Sequence, residues 1–205
     1  MQLARRIARV SLIGLAALVP LAATRATAPA LTAEAQLRAL LAAGSSFTVT
    51  VEGTKQGVFK AENPRAGRQG KIPAIAFSYD VKSPRDAASG MASGRRQHSP
   101  ITFTKAIDAS SPQFFQALTT NEILKSVVFE FYGTNPNGEE QVVYVVRLSN
   151  ATVGEIEQYV GRTGGDAMRA ADTTPIEDVS VTFQRIELES TTGKTMAMDD
   201  WSKGR

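Results

Sequence analysis

From residue 47 onward the apolar positions recur with a period of two. Phe47, Val49 and Val51 alternate with Thr48, Thr50 and Glu52, which predicts a strand with one face buried. Gly53 to Gly57 reads as a turn, and Val58-Phe59-Lys60 as the start of a return strand. Ile75, Phe77, Tyr79 and Val81 alternate with Ala76, Ser78, Asp80 and Lys82 and predict one continuous strand; Ile101 and Phe103 predict another. Ser126–Tyr132 and Gln141–Leu148 predict a hairpin across Asn135-Pro136-Asn137-Gly138, because the Asn-Gly step tolerates the positive φ of a tight turn. Ser149-Asn150-Ala151 reads as a break before Thr152-Val153 resumes the strand. Val179, Val181 and Phe183 alternate, and the pattern then skips to Ile186 and Leu188, which predicts a β-bulge near Gln184-Arg185. Met196, Met198 and Trp201 mark a short last strand.

Two stretches have helical character. Residues 33–43 are rich in Ala and Leu and end at Gly44. Ser110-Ser111-Pro112 offers an N-cap hydroxyl and a first-turn proline, and Phe114, Phe115 and Leu118 then share one face. This predicts a helix from Pro112 to about Thr119, laid as a lid on a sheet or barrel mouth. Residues 61–71, 83–99 and 162–174 are polar and contain Gly or Pro, and read as long loops. The expected fold class is therefore mainly β: a small antiparallel two-sheet β-barrel with one flanking α-helix. Ile75, Phe77, Val127, Phe129, Val179 and Val181 are expected to fill one dry core.

Composition narrows the chemistry. The 205 residues include no Cys and one His, His98, which removes thiol nucleophiles, disulfides, Cys-ligated metals and every His-cluster metal site. The net charge is misleading until it is divided. Of 23 basic and 20 acidic residues, Arg5, Arg6, Arg9, Arg25 and Glu34 lie in residues 1–35, leaving 19 of each sign for the remainder. The domain itself is neutral, so no basic stripe marks it as a nucleic-acid binder. The leader has a positive start, an apolar run from Val10 to Ala23 and A-x-A-like sites, the pattern of an export signal. An uncleaved leader would contact the membrane as an interfacial helix. The expected organisation is a leader over 1–35, a short helix or linker over 36–46, and the domain over 47–205.

No constellation reads as catalytic, and the expectation is a chain that is not an enzyme and carries no cofactor or metal. His98 has no G-x-S-x-G partner, Glu139-Glu140 and Asp199-Asp200 point apart as sequence neighbours on a strand, and Gly164-Gly165-Asp166 lacks a following G-K-[ST].

The segment from Arg95 to Leu118 resembles the Hcp family, the tube protein of bacterial type VI secretion. The features that carry the likeness are Arg96 and His98 before a strand, Lys105 and Asp108 at its end, and Ser111-Pro112 at the helix start. Ile75–Val81, Leu148–Val153 and Glu177–Glu187 resemble further strands of that family, and the likeness runs from about Phe47 to Trp201. It implies a two-sheet barrel, homohexameric rings that stack head-to-tail, and a tube fired by a contractile sheath. Partners implied are the chain itself, a spike protein, the sheath and small effectors in the lumen. It also implies that the loop before the third strand reaches the neighbouring ring. Here that loop is Ala61–Lys71, with Asn63, Arg65, Arg68 and Lys71 as the residues expected to make stacking contacts. The leader departs from the family, whose members assemble in the cytoplasm. It leaves two locations open: export through the leader, or cytoplasmic assembly followed by type VI secretion. An exported copy acting as a periplasmic binding module is the alternative function, and it would need an internal ligand cavity.

Overall fold

The computed structural model describes residues 47–160 and 175–203. The expected leader, the helix over 33–43 and the loop over 162–174 lie outside the described residues. The strands are β1 (Phe47–Gly53), β2 (Gly57–Val58), β3 (Ile72–Ser78), β4 (Val81–Lys82), β5 (Gln97–His98) and β6 (Ile101–Ala106). After helix α1 (Ser111–Thr119) follow β7 (Leu124–Thr134), β8 (Glu140–Val160), β9 (Pro175–Thr182), β10 (Arg185–Ser190) and β11 (Thr195–Asp200).

The main sheet runs β11-β10-β8-β7-β1-β3-β6-β9, and a further β8–β9 pairing closes it on itself. β8, β7, β1, β3, β6 and β9 thus make a six-stranded barrel, with β10 and β11 extending one edge. The separate β4–β5 ribbon is the second sheet. The small antiparallel barrel with one flanking helix among the described residues is what the pattern predicted for this part of the chain.

β8 makes the closure possible. It is 21 residues long: Glu140–Ala151 pair with β7, and Thr152–Val160 pair with β9. Asn150 sits between the two halves at φ 50°, a conformation that Asn tolerates better than most side chains. The break expected at Ser149-Asn150-Ala151 is therefore a kink in one continuous strand. The bulge expected at Gln184-Arg185 is also something else. β9 ends at Thr182 and β10 begins at Arg185, and both lie along the same edge of β8, Thr182 opposite Thr152 and Arg185 opposite Ser149. The skipped residue marks the passage from the barrel to its extension.

Register shifts fall elsewhere, at Glu52/Gly53, Phe131/Tyr132 and Val153/Glu155, and in β3, where the register with β6 shifts between Ala74 and Ala76. Ile72 and Ala74 point inward on one side of it and Phe77 packs on the core on the other, while Ile75 is 40% exposed. The expected single strand over Ile75–Val81 is also divided. β3 stops at Ser78, and Val81 pairs instead with His98 in the ribbon.

The barrel interior is filled. Val127, Phe129, Val179 and Val181 are fully buried, as expected, together with Val49, Ile101, Phe103 and Leu124. Phe77 sets its edge against Phe129 and Phe131 at 5.2 Å between centroids, a favourable quadrupolar geometry. Phe114 of α1 closes one end of the core against Phe59 (5.1 Å) and Phe103 (5.8 Å). Its neighbour Phe115 is 60% exposed.

Candidate functional site

Three polar clusters stand out against this apolar frame. The first ties α1 to the barrel. Lys105 ends β6 on its inward face, opposite Glu177 of β9, and both side chains are fully buried. Lys105 Nζ lies 2.8 Å from Glu177 Oε1 and 2.7 Å from Asp108 Oδ1. Ser111 Oγ donates to Glu177 Oε1 (2.8 Å) and accepts from Lys105 Nζ and from the Asp108 amide, each at 3.0 Å. Gln158 Nε2 donates to the other Glu177 oxygen at 2.6 Å. Buried charges persist only when paired and hydrogen-bonded, and here each one is.

This cluster also alters the helix start. Ser110 is the N-cap residue but its hydroxyl makes no capping bond; it donates to Asp108 Oδ1 at 2.6 Å, and its amide does so at 2.9 Å. Pro112 keeps its first-turn position. The expected hydroxyl cap is thus replaced by the turn that Asp108 organises.

The second cluster holds the C-terminal strand. His98 Nε2 is 2.7 Å from Asp199 Oδ2, and His98 Nδ1 is 2.5 Å from the Tyr79 hydroxyl. A carboxylate only accepts, so His98 Nε2–H donates to Asp199, and the tautomer that does so accepts a hydrogen bond from the Tyr79 hydroxyl on Nδ1. Arg96 Nε donates to the same Asp199 oxygen, and Arg96 Nη2 donates to the Asp200 carbonyl at 2.9 Å. Phe183 and Trp201 enclose the imidazole at 5.6 and 5.4 Å. The Arg96 hydrogen bond, seconded by His98, holds the Asp199 carboxyl below its usual range against the opposing effect of burial. Burial, with the Asp199 charge beside it, pushes the Tyr79 phenol up to about 12.

The third cluster pins the loop over 61–71. Asn63 Nδ2 donates to the Lys71 carbonyl (3.0 Å), and its Oδ1 accepts the Arg65 amide (3.1 Å). Arg68 is 2% exposed, lies 3.5 Å over the Tyr132 ring and pairs with Glu140, which Arg65 also approaches at 3.4 Å. Lys71 pairs with Glu130. That ion pair overcomes burial and raises the Lys71 pKa.

The motif positions Lys105, Asp108, Ser111 and Pro112 are therefore brought together, and so are Arg96 and His98. The two groups serve different ends of the domain. Arg65, Arg68 and Lys71 gather on β7 and the start of β8, and Asn63 braces the loop from within. Sequence reading missed Glu177 as the closing partner of Lys105, Asp199 as that of His98, and Tyr132 with Glu140 as those of Arg68. Each is a long-range neighbour, visible only once strand register is known. Among the described residues no group of three or more His, Asp or Glu side chains could hold a metal ion.

The family model described as "Type VI secretion system effector, Hcp" matches residues 49–189. The chain belongs to the Hcp family. A Pseudomonas aeruginosa protein called "Major exported protein" is 30% identical over 162 residues, 75% of this chain and 93% of the relative. Among solved structures, one described as "Crystal structure of Hcp protein" has a TM-score of 0.68 at 28% identity, covering 76% of this chain and 98% of that one. Hcp1 of E. coli EAEC 042 follows at 0.66 and 25%, covering 77% and 99%. The Hcp match spans β1 to β10 and includes the six motif positions from Arg96 to Pro112.

Proposed function

We propose that this Hcp-family chain is a ring-forming tube subunit of a type VI secretion system. Its homohexamers stack and carry small effectors in the lumen, and it has no catalytic role. The observation that carries this reading is the filled barrel: with the interior occupied by Phe103, Phe129, Val179 and their neighbours, only the outside remains to work. The outside offers an open edge. Among the described strands β11 pairs with β10 alone, and it exposes Met196 and Met198 at 60% and 62%. An open edge with apolar side chains suits a heterologous contact that closes by rotation. The periplasmic binding module needed a cavity at the positions that are packed here, and so loses its support. Spike, sheath and effectors are the partners this function requires.

Stacking falls to the projecting loops. Arg68 is buried within its own chain, whereas Arg65 of the loop over 61–71 is 36% exposed and is the arginine we assign to the ring–ring contact. The stretch over 83–96 is exposed along most of its length: Arg85 bridges to Ala92, and Met91 is 71% exposed.

The test is light scattering and electron microscopy of the purified full-length protein. A hexamer mass with annular particles is the expected result. A monomer at high concentration overturns the ring reading. Sequencing the mature N-terminus from fractionated cells decides between export through the leader and assembly in the cytoplasm.

A further inference from the structure

Three clefts join end to end between the β4–β5 ribbon and the C-terminal end of β11. The first, of about 230 Å³, is walled by His98, Pro100, Phe183 and Trp201. The second, of about 310 Å³, shares Trp201 with it and adds Pro84, Arg95 and Arg96. The third, of about 770 Å³, shares Arg95 and Arg96 with the second and adds Arg185, Lys203, Asp199 and Asp200. The groove is thus aromatic at one end and cationic at the other.

The two acids at the cationic end are already engaged. Asp199 receives Arg96 and His98. Asp200 Oδ1 accepts the Ser202 amide (2.9 Å) and hydroxyl (2.6 Å). Arg185 reaches Glu187 only at 3.4 Å. Among the described residues, Arg95 and Lys203 are in no ion pair. Arg95 therefore faces the cleft outside any ion pair, and Lys203 feels Asp200 only at longer range, next to a half-exposed tryptophan.

We propose that this groove binds an extended acidic peptide segment of another protein. One apolar side chain of that segment sits against Trp201 and Phe183, and its carboxylates lie on Arg95 and Lys203. The size of the aromatic cleft supports this. It has room for a side chain but falls below the roughly 300–1,000 Å³ of sites that enclose whole small molecules. The chemistry supports it too. Guanidinium and ammonium groups outside an ion pair favour carboxylates, and an aromatic wall beside an arginine is the composition of an anchoring contact. Arg96 and His98 hold Asp199 and with it the end of β11, so the groove's floor is formed before a ligand arrives. The groove shares Met198 with the β11 edge and Arg95 and Arg96 with the stretch over 83–96, so it is open in the unassembled chain, where a peptide and a neighbouring subunit compete for it.

Trp201 is the chain's single tryptophan, so its fluorescence reports on the groove directly. The experiment titrates the full-length protein with the probe peptide acetyl-Leu-Glu-Glu-Glu-amide, and with Leu-Lys-Lys-Lys and Ser-Glu-Glu-Glu controls. The expected result is a saturable change with the first peptide, weakened by salt and weakened about tenfold by Arg95→Glu with Lys203→Glu. The serine control should bind less tightly than the leucine peptide, and circular dichroism should show the variant folded. No saturable change at millimolar peptide overturns the proposal. So does an equal response to the lysine peptide, or a folded variant that binds as well as the original. If Trp201 emission instead follows protein concentration without peptide, in step with particle mass, the occupant is a second copy and the proposal fails. Particle mass alone judges the ring reading, so the two failures are distinguishable.

Discussion

Lys105 and Glu177 meet at 2.8 Å inside the barrel wall, each fully buried. Their strands are paired at these two residues, so the ion pair fixes the β6–β9 register while its third partner, Ser111, fixes the first turn of α1. Lys105→Met leaves the Glu177 and Asp108 charges without their cation and is expected to cost about 3–5 kcal/mol. The double variant Lys105→Met with Glu177→Leu should cost less than the single one, because the fully buried Glu177 charge is then gone and only Asp108, which Ser110 still bonds, lacks its cation. Urea unfolding of both variants checks this. A double variant less stable than the single one would show that shape, and not charge, holds the site.

Tyr79 makes stability depend on alkaline pH. Its folded pKa of about 12 lies above the ordinary value of 10.0, so the folded state holds the phenol proton more tightly. That contribution is fully present below pH 10 and is lost as pH rises towards 12. The urea midpoint should fall across this window, and Tyr79→Phe should flatten the fall. An unchanged slope in the variant would place the alkaline sensitivity elsewhere.

Asp199 works in the opposite direction. Arg96 and His98 lower its folded pKa below the ordinary 3.8, so its contribution is present above that value and disappears as pH falls through the folded pKa. Asp199→Asn should reduce stability at neutral pH and remove part of the acid-induced loss. It should also blue- or red-shift Trp201 emission, because the imidazole beneath that ring loses its anchor. Unfolding curves between about pH 2 and 7 with identical shapes for both proteins would refute the assignment.

Period-two patterning located most strands because alternation is a local property. It failed where the chain changes partner. In β3 the residues Ile75 and Phe77 alternate without a break, yet the bulge after Ala74 sends Ile75 outward and leaves Phe77 on the core. Nothing in Ile75 itself records the register of β6. The same holds for the clusters: Lys105, Asp108 and Ser111 lie within seven residues and could be grouped from sequence, whereas Glu177 reaches them only through β6–β9 pairing. The difference is measurable. Ile75→Thr should change stability by no more than about 0.5 kcal/mol, while Phe103→Ala should cost about 3–5 kcal/mol. Equal effects would mean that Ile75 is part of the core after all.

The loop over 61–71 separates two arginines that look alike in sequence. Arg68 is almost completely buried, stacked on Tyr132 and paired with Glu140; Arg65 is 36% exposed and shares the same carboxylate at 3.4 Å. A buried cation on an aromatic face contributes through both charge and packing, whereas an exposed pair contributes little. Arg68→Ala is therefore expected to lower stability by about 1–3 kcal/mol, and Arg65→Ala by less than about 0.5 kcal/mol. Their effects on assembly should reverse. Arg65→Glu should leave the fold and the ring intact and weaken ring stacking, most clearly at low salt, where an exposed charge acts over the longest range. Arg68→Glu would set two carboxylates against each other beside Tyr132 and should unfold the loop before it reports on stacking. Thermal melts and particle lengths in electron micrographs, measured on both variants, distinguish the roles. Stacking that survives Arg65→Glu unchanged at low salt would remove Arg65 from the ring–ring contact and leave the stretch over 83–96 to carry it.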